Sequence, residues 1–317
     1  SSDLTSLGPN KTFKIKLFTT IQGANGGFLQ SPYLQTFGLA TVSPVSVASS
    51  PLAVPRTAHS AVRLSDGRVL ISGGITNNLE YLSSCEIFDP AANGGAGVLA
   101  PTGSLSVPRA YHSATLLPNG KVLIVGGTGG ATSYLSASHL GSAEIFDPAG
   151  NNGQGTFTSL GNMQARHGWG HSVNKLSDGK VLIIGGYYLS GTGVLTSTEV
   201  FDPSNNSFTL KTPILSPRYG HTATDLPDGR ILIAGGQNDT GALSTAEIFN
   251  PVANGGNGLS VAAPAMGTLR SFHSGISLLD GRVLILGGSS TLVTEIFDPA
   301  ANGGLGAFVA GASLAIP

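Results

Sequence analysis

The stretch at residues 55–74 reads PRTAHSAVRLSDGRVLISGG and contains the main signals of a repeating unit. It opens with Pro-Arg and a nearby histidine, continues through an apolar segment, turns at Asp66-Gly67 and ends in a glycine pair. An Asp-Gly turn between two runs of Val, Leu and Ile is a strong β-hairpin signal, because both central residues of that turn need positive φ. The stretch therefore predicts a hairpin of two strands.

The same unit recurs five times along the chain. Its arginine and histidine are found as Arg56 and His59, Arg109 and His112, Arg166 and His171, Arg218 and His221, and Arg270 and His273. After the glycine pair and a variable loop, a third strand reads Glu-Ile-Phe-Asp-Pro or nearly so, beginning at Glu86, Glu144, Glu199, Glu247 and Glu295. A turn rich in Gly and Asn then leads to a fourth short strand. Four antiparallel strands in a unit of about 50 residues are typical of a β-propeller blade.

These repeats resemble the kelch family of β-propellers from Arg56 to the end of the chain, with five glycine pairs in register. The resemblance implies an all-β, kelch-type β-propeller in which the first strand of each blade is innermost. The repeats divide the chain into 56–108, 109–165, 166–217, 218–269 and 270–317, all in one propeller domain. Phenylalanines such as Phe88 stand where the family commonly has tyrosine, which preserves apolar contacts but removes a hydroxyl.

Residues 1–55 lack the repeat signature, and we expect them to form a degenerate N-terminal blade. Phe13, Ile15 and Leu17 alternate with lysines, which predicts a half-buried strand with lysines toward water. The segment 47–55 also resembles a fourth strand. The expectation is therefore six four-stranded blades. The alternative is a five-bladed ring with an N-terminal arm that clamps it or joins a neighbour's sheet, as in a structural assembly.

Composition excludes several classes of function. The 317 residues carry a formal charge of −1, which gives no general attraction to nucleic acid or to anionic membranes. No apolar run approaches the length of a membrane span, and no basic and apolar leader opens the chain, so any signal peptide is expected to have been removed. Cys85 is the only cysteine, which excludes an internal disulfide framework.

Residues present in every blade are most simply structural, since a single site needs one copy. The repeated arginine and glutamate begin the first and third strands, at the same mouth of the propeller, so we expect them to pair. The alternative is an unpaired arginine ring that grips anions. The five histidines lie around a wide mouth, too far apart for one metal ion, and no metal site or cofactor is expected.

Tyr111-His112 resembles the copper-binding Tyr-His segment of galactose oxidase, a kelch-type enzyme. The histidine is repeat consensus, however, and the other ligands of that enzyme have no convincing counterparts in this sequence. Cys85 falls where the other repeats have Ala or Thr, so we expect a small packing residue there. No catalytic residue is predicted.

Unrepeated residues concentrate in the loops after the glycine pairs and in the turn that enters the third repeat. Variable loops on a rigid scaffold commonly carry binding sites. The predicted ligand-binding residues are Tyr81, Tyr134, His139, His167, Trp169, Tyr187, Tyr188, Asn238 and Asp239. A weaker candidate site at the opposite end of the channel comprises Arg63, Lys175 and Asp225.

These observations lead to the expectation of a non-catalytic recognition scaffold that binds a protein or a glycan. The alternative is a periplasmic sugar epimerase or mutarotase of the bacterial kelch kind, using Arg, Glu and His at the channel mouth without a metal. Low charge and turns rich in Gly and Asn resemble bacterial extracellular kelch proteins, so a secreted, extracellular or periplasmic location is expected. Further expectations are no membrane insertion and self-assembly through the N-terminal strand.

Overall fold

The computed structural model describes residues 51–130, 138–188, 193–288 and 292–314, together with the backbone of two N-terminal strands. Five four-stranded antiparallel sheets dominate it, one for each sequence repeat, and every sheet follows chain order from its first strand to its fourth. The first strands of consecutive sheets contact one another, which places them at the centre of the molecule. The all-β propeller fold is therefore confirmed, with the first strand of each blade innermost.

The strand boundaries repeat from blade to blade. Blade 1 comprises Ser60–Arg63, Val69–Ser72, Cys85–Asp89 and Val98–Pro101. Blade 2 comprises Ser113–Leu116, Val122–Val125, Ser142–Asp147 and Thr156–Asn162. Blade 3 comprises Ser172–Lys175, Val181–Ile184, Thr198–Asp202 and Ser207–Lys211. Blade 4 comprises Thr222–Asp225, Ile231–Ala234, Ala246–Asn250 and Leu259–Ala263. Blade 5 comprises Ser274–Ser277, Val283–Leu286, Val293–Asp298 and Ala307–Ser313.

Shorter elements decorate the loops. Two-residue strands form small ribbons at the mouth, namely Arg109–Ala110 with Thr128–Gly129 and Ser138–His139, Tyr187–Tyr188 with Gly193–Val194, and Gln237–Asn238 with Gly241–Ala242. Single helical turns precede four of the outer strands, at Asn93–Gly95, Gly150–Gly153, Ala253–Gly256 and Asn302–Gly304. In the described part of the chain, no helix is long and apolar enough to cross a membrane.

The core lies between blades. Val122 and Ile124 of blade 2 pack with Leu70 and Ile87 of blade 1, and similar clusters join each later pair of blades. Phe146 is fully buried, and its ring lies 4.8 Å from that of Phe157. The phenylalanines thus keep the apolar contacts expected of them.

The glycine pairs are required because the next blade approaches closely. A β-carbon on Gly73 would collide with the carbonyl oxygen of Arg109 in the following blade, and Gly74 N–H donates to that same oxygen at 2.8 Å. Both glycines also have positive φ. The glycine pair therefore couples one blade to the next as well as ending a strand.

The N-terminal segment contributes an antiparallel pair of strands, Thr12–Leu17 and Tyr33–Gly38. The predicted strand at residues 13–17 falls within the first of them. The remainder of residues 1–50 lies outside the described residues. The sixth blade and the division into repeats therefore stay predictions.

Candidate functional site

The repeated arginine and glutamate pair as expected in four blades. The Nη2 to Oε1 distances are 3.0 Å for Arg56 and Glu86, 2.9 Å for Arg109 and Glu144, 2.8 Å for Arg218 and Glu247, and 3.2 Å for Arg270 and Glu295. All four guanidinium groups are inaccessible to solvent. Arg109 also donates to the carbonyl oxygens of Gly126 and Ser142. These arginines hold their blades together and are not available to an anionic ligand.

Blade 3 departs from this arrangement. His167 is completely buried, its Nδ1 donates to the carbonyl oxygen of Gly185 at 2.6 Å, and its Nε2 lies 3.5 Å from Oε2 of Glu199. In the other blades a guanidinium makes both contacts. The expected pairing of Arg166 with Glu199 is therefore wrong, because the imidazole of the following residue occupies that place.

Arg166 is instead exposed at the mouth, where Nη1 donates a hydrogen bond to the Tyr188 hydroxyl at 2.8 Å. The guanidinium carbon lies 5.7 Å from the centre of the Tyr188 ring, a cation–π distance. The backbone of Arg166 has a φ of 44°, which is uncommon for a residue other than glycine. Its stem passes so close to Gly141 that a β-carbon there would collide with it. This side chain is thus held at the surface by specific contacts.

A group of aromatic rings lies beside this arginine at the central mouth. Trp169 is stacked on Phe272 at 5.3 Å between ring centres, and lies 5.4 Å from Tyr219 and 6.0 Å from Tyr111. Tyr219 lies 5.3 Å from Tyr187. We call these five residues, which come from blades 2, 3, 4 and 5, the aromatic mouth. Their rings are half-buried or exposed, so they offer apolar faces to a ligand.

His139 joins the aromatic mouth to Arg166 and Tyr188. Its ring meets those of Tyr187 and Tyr188 edge-on, at 5.2 and 6.5 Å. Partial burial lowers the pKa of His139, so the imidazole is neutral near pH 7. Nδ1 is buried and has no hydrogen-bond partner in the described structure. Because Nδ1 is out of reach of a ligand, a proton from a ligand would be accepted by the other ring nitrogen, Nε2.

The structure brings together only some of the predicted ligand-binding residues. His139, Trp169, Tyr187 and Tyr188 are neighbours, whereas Asn238 and Asp239 form a separate hairpin tip in which Asn238 accepts hydrogen bonds from Thr240. Tyr134 lies outside the described residues.

Two other predicted ligand-binding residues require correction. Tyr81 is 5% exposed and packs with Ala58, Ile75 and Ala110, while its hydroxyl bonds Thr128. His167 is buried against Glu199, as described above. Both side chains therefore pack in the interior of the propeller.

Sequence reasoning missed Arg166, Tyr219 and Phe272. Arg166 stands at the position of the repeated arginine, but it lies five residues before the repeated histidine, whereas each of the other arginines lies three residues before its own. Tyr219 and Phe272 directly follow the repeated arginine or precede the repeated histidine, where the residue type changes from blade to blade. That variation was the available signal.

The weaker site at the opposite end of the channel is also divided. Lys175 and Asp225 line one cleft between blades 3 and 4, and Arg63 is not part of its lining. Asp225 accepts a hydrogen bond from the Asn174 amide at 3.0 Å, and burial raises the pKa of its carboxyl.

The described residues do not fit the copper centre of galactose oxidase. Nowhere in the described ranges do three His, Cys, Asp or Glu side chains come close enough to bind one metal ion. His112, beside Tyr111, is buried with Nε2 bonded to the Ser72 hydroxyl at 2.9 Å. Cys85 is buried, which raises its pKa to about 11. We therefore derive no step through copper.

No family model matches the chain. A putative F-box/kelch-repeat protein of Arabidopsis thaliana is 31% identical over 122 residues, 35% of this chain and 33% of that protein. Two galactose oxidases of Gibberella zeae are 27% identical over 189 residues and 31% over 143 residues. These matches cover 57% and 42% of this chain, and 25% and 19% of the relatives. The chain thus spans a third or less of the curated relatives it matches.

Among solved structures, one titled "Structure of YjhT" superposes with a TM-score of 0.61 at 15% sequence identity, covering 89% of this chain and 88% of the other. At this identity the likeness concerns the fold, and it agrees with a kelch-type propeller. The expectation of a non-catalytic scaffold is corrected by the curated relatives, two of which are enzymes by name.

Proposed function

We propose that this protein is a carbohydrate-active enzyme that interconverts forms of a free sugar by opening and re-closing its hemiacetal ring. The observation that carries the proposal is the position of His139 and the Arg166–Tyr188 pair at one edge of the aromatic mouth. A platform for a ring-shaped ligand and two groups able to move protons are thereby adjacent.

The aromatic mouth supports a sugar as the substrate class. The less polar face of a pyranose packs well on an aromatic ring, and Trp169 and Tyr187 present such rings on either side of Tyr219. The two relatives named galactose oxidase, whose name denotes a sugar substrate, support the same class. This protein's own substrate is proposed on the chemistry of the mouth.

The chemistry proposed is general acid–base catalysis by side chains. His139 removes the proton from the anomeric hydroxyl while Tyr188 donates a proton to the ring oxygen. The bond between the anomeric carbon and the ring oxygen breaks as a carbonyl forms. Rotation about the bond between the anomeric carbon and the adjacent carbon presents the other face of the carbonyl. The ring then closes by the reverse proton transfers, which return both protons to their original groups. Substrate and product are isomers, so no oxidant or reductant is needed.

Arg166 prepares Tyr188 for this role. Because the guanidinium donates its N–H to the tyrosine oxygen at 2.8 Å, the tyrosine's own hydrogen stays free to be donated outward. The positive charge also stabilises the phenolate that remains after the proton has left. Arg166 is thus proposed as a positioning residue and Tyr188 as the proton donor.

The test is anomer exchange measured by polarimetry and NMR on a panel of freshly dissolved aldoses and ketoses, with hydrogen peroxide release recorded in parallel. We expect accelerated exchange without peroxide. Tyr188→Phe and His139→Gln should each lower the enzymatic rate at least tenfold, and Tyr81→Phe, a matched removal of a buried hydroxyl, should leave it unchanged. Absence of exchange on every sugar, or peroxide release, overturns the proposal.

A secreted, extracellular or periplasmic location accompanies this proposal, as does recognition of a free sugar rather than nucleic acid. The low charge and the Gly/Asn-rich turns support the location, since such surfaces resemble extracellular kelch proteins. Fractionation of the producing cells, with activity assayed in medium, periplasm and cytoplasm, tests it. Activity confined to the cytoplasm would contradict it.

A further inference from the structure

The aromatic mouth has two parts, and only one of them adjoins the proposed catalytic groups. The ring of Tyr187 lies 5.2 Å from that of His139 and 5.3 Å from that of Tyr219. Beyond Tyr219 lie Trp169 and Phe272, at 5.4 and 6.1 Å from its ring and stacked on each other. In the described part of the chain, neither of these two rings is in ring contact with His139. A single sugar unit on Tyr187 therefore leaves Trp169 and Phe272, the distal rings, uncovered.

Phe272 is held at the surface at a conformational cost. Its φ of 53° lies in the left-handed region, and the equivalent residue in blades 3 and 4 is a glycine, Gly170 or Gly220. Phe272 is nevertheless 44% exposed, and its ring passes over Gly220, where a β-carbon would lie 2.9 Å from the ring carbons. An unfavourable backbone conformation that keeps an apolar ring uncovered is typical of a functional position. The ring is therefore placed to contact a ligand.

Tyr219 and Gln237 add hydrogen-bonding groups beside the distal rings. The two residues pair through their backbones, and the side-chain amide of Gln237 donates to the hydroxyl oxygen of Tyr219. The hydrogen of the Tyr219 hydroxyl is therefore free to be donated to a ligand.

Gln237 keeps further hydrogen-bonding capacity. It is half-buried, and its side chain makes no other hydrogen bond with the described part of the chain. One amide hydrogen and the carbonyl oxygen Oε1 are thus left for a ligand. Neither Gln237 nor Tyr219 carries a charge near pH 7, so this part of the mouth favours a neutral ligand with several hydroxyl groups and an apolar face.

We propose that the substrate is a neutral reducing disaccharide, or the reducing end of a longer neutral glycan, an inference that rests on the proposed function and extends it. The reducing unit lies on Tyr187, beside His139 and Tyr188. The second unit lies over the distal rings, where its hydroxyl groups bond Gln237 and Tyr219. Only the reducing unit has a hemiacetal, so the chemistry stays at Tyr187 and the second unit contributes binding alone.

The first test compares sugars that share a reducing unit. Maltose, cellobiose and lactose carry glucose at the reducing end, so their anomer exchange is measured by NMR against that of glucose. The most active monosaccharide of the panel above is compared in the same way with disaccharides that carry it at the reducing end. We expect kcat/KM for at least one disaccharide to exceed that of its monosaccharide at least tenfold. The gain should come mainly from a lower KM, because the second unit binds equally in the ground state and the transition state.

The outcomes separate this inference from the proposed function. Exchange of monosaccharides with an equal or lower kcat/KM for every disaccharide would overturn the inference and leave the proposed function standing. Absence of exchange on monosaccharides and disaccharides alike would overturn the proposed function, and this inference with it.

The second test removes the distal contacts one at a time. Phe272→Gly introduces the residue that blades 3 and 4 have at this position, so the backbone conformation is retained without strain. Gln237→Ala removes the side-chain amide. Each variant should lower the ratio of disaccharide to monosaccharide kcat/KM at least fivefold. Gln154→Ala, a matched change in an exposed outer turn of blade 2, should leave the ratio unchanged.

Melting curves verify that the variants fold, and isothermal titration with the preferred disaccharide measures binding independently of turnover. We expect at least fivefold weaker disaccharide binding by both Phe272→Gly and Gln237→Ala. If Phe272→Gly does not fold, Gln237→Ala decides. Folded variants that keep the ratio and the disaccharide affinity of the unmodified protein would show that the distal rings only close the channel, and would overturn the proposal.

Discussion

The imidazole of His167 lies 3.5 Å from the carboxylate of Glu199, where the other four blades place a guanidinium on the corresponding glutamate. This exchange releases Arg166 to the surface, where it bonds Tyr188. The proposed catalytic residues therefore gather where one blade departs from the repeat, while the intact repeats supply the frame.

The buried ion pairs predict unequal effects on the free energy of unfolding for two arginines at the same position of different repeats. Arg109→Ala leaves Glu144 uncompensated in the interior and should lower the free energy of unfolding by about 3 kcal/mol. Arg166→Ala is the matched control, and because that side chain is exposed it should cost less than about 1 kcal/mol. Urea unfolding measures both. Equal losses for the two variants would contradict the assignment of Arg109 as structural and Arg166 as functional.

The aromatic mouth is expected to carry most of the binding energy for a sugar. Replacing Trp169 and Tyr187 by Ala removes two apolar faces, and buried aromatic anchors commonly contribute about 2 kcal/mol or more each. We expect the KM to rise at least thirtyfold. Trp169→Phe, which keeps a ring, should retain most of the affinity, and melting curves verify that each variant is folded. Unchanged sugar binding in the double alanine variant would exclude this mouth as the site.

Acid should destabilise the propeller through its buried histidines. Burial lowers the pKa of His171 and of His273 to about 3, and it lowers the pKa of His112 and His221 well below the usual range. Below an ordinary histidine pKa near 6.5, the unfolded chain binds protons that the folded protein does not. Stability is therefore full above that pH and falls as the pH decreases toward 3.

At two pH units below the ordinary pKa, each such histidine costs on the order of 2–3 kcal/mol. Calorimetric melting across this range measures the effect. His171→Gln removes one titrating group and should give a shallower dependence of stability on pH than the unmodified protein. A melting temperature that stays constant on acidification would contradict the burial of these rings.

The exposed side of blade 5, the last described blade, indicates that another part of the chain packs against it. Among the described residues, a β-carbon on Gly287 would meet nothing within 4 Å, whereas the equivalent Gly73, Gly126, Gly185 and Gly235 are covered by the next blade. Leu279 is fully exposed, where Pro118 and Pro227 lie against the next blade's turn. We infer that the N-terminal segment covers this face as a sixth blade.

Deletion of residues 1–45 should therefore expose both ends of the ring and give an aggregating protein without a sharp melting transition. Light scattering after size exclusion and calorimetry measure this, and the same chromatography of the full chain reports self-assembly. A truncated protein that stays monomeric and melts cooperatively would favour the five-bladed alternative.

The blades themselves were predictable because their signals are local. An Asp-Gly turn such as Asp66-Gly67 directs the chain through residues that tolerate positive φ, and the flanking apolar runs determine the strands on either side. The pairing of Arg109 with Glu144 also followed from repetition, since matched charges at one end of each blade have one common geometry. These properties need only a short stretch of chain and its copies.

The composition of the site depended on tertiary structure. Trp169 and Phe272 belong to blades 3 and 5, and their stacking arises only when inner strands from successive blades meet around a centre. The contact of His167, rather than an arginine, with Glu199 could be seen only in the structure, which shows which side chain reaches that carboxylate. Tyr81 lies in a variable loop, where a side chain is expected at the surface, and yet it is buried. Repeat signals determine each blade's backbone, whereas neighbours across the ring are set by how the blades pack, which no local pattern encodes.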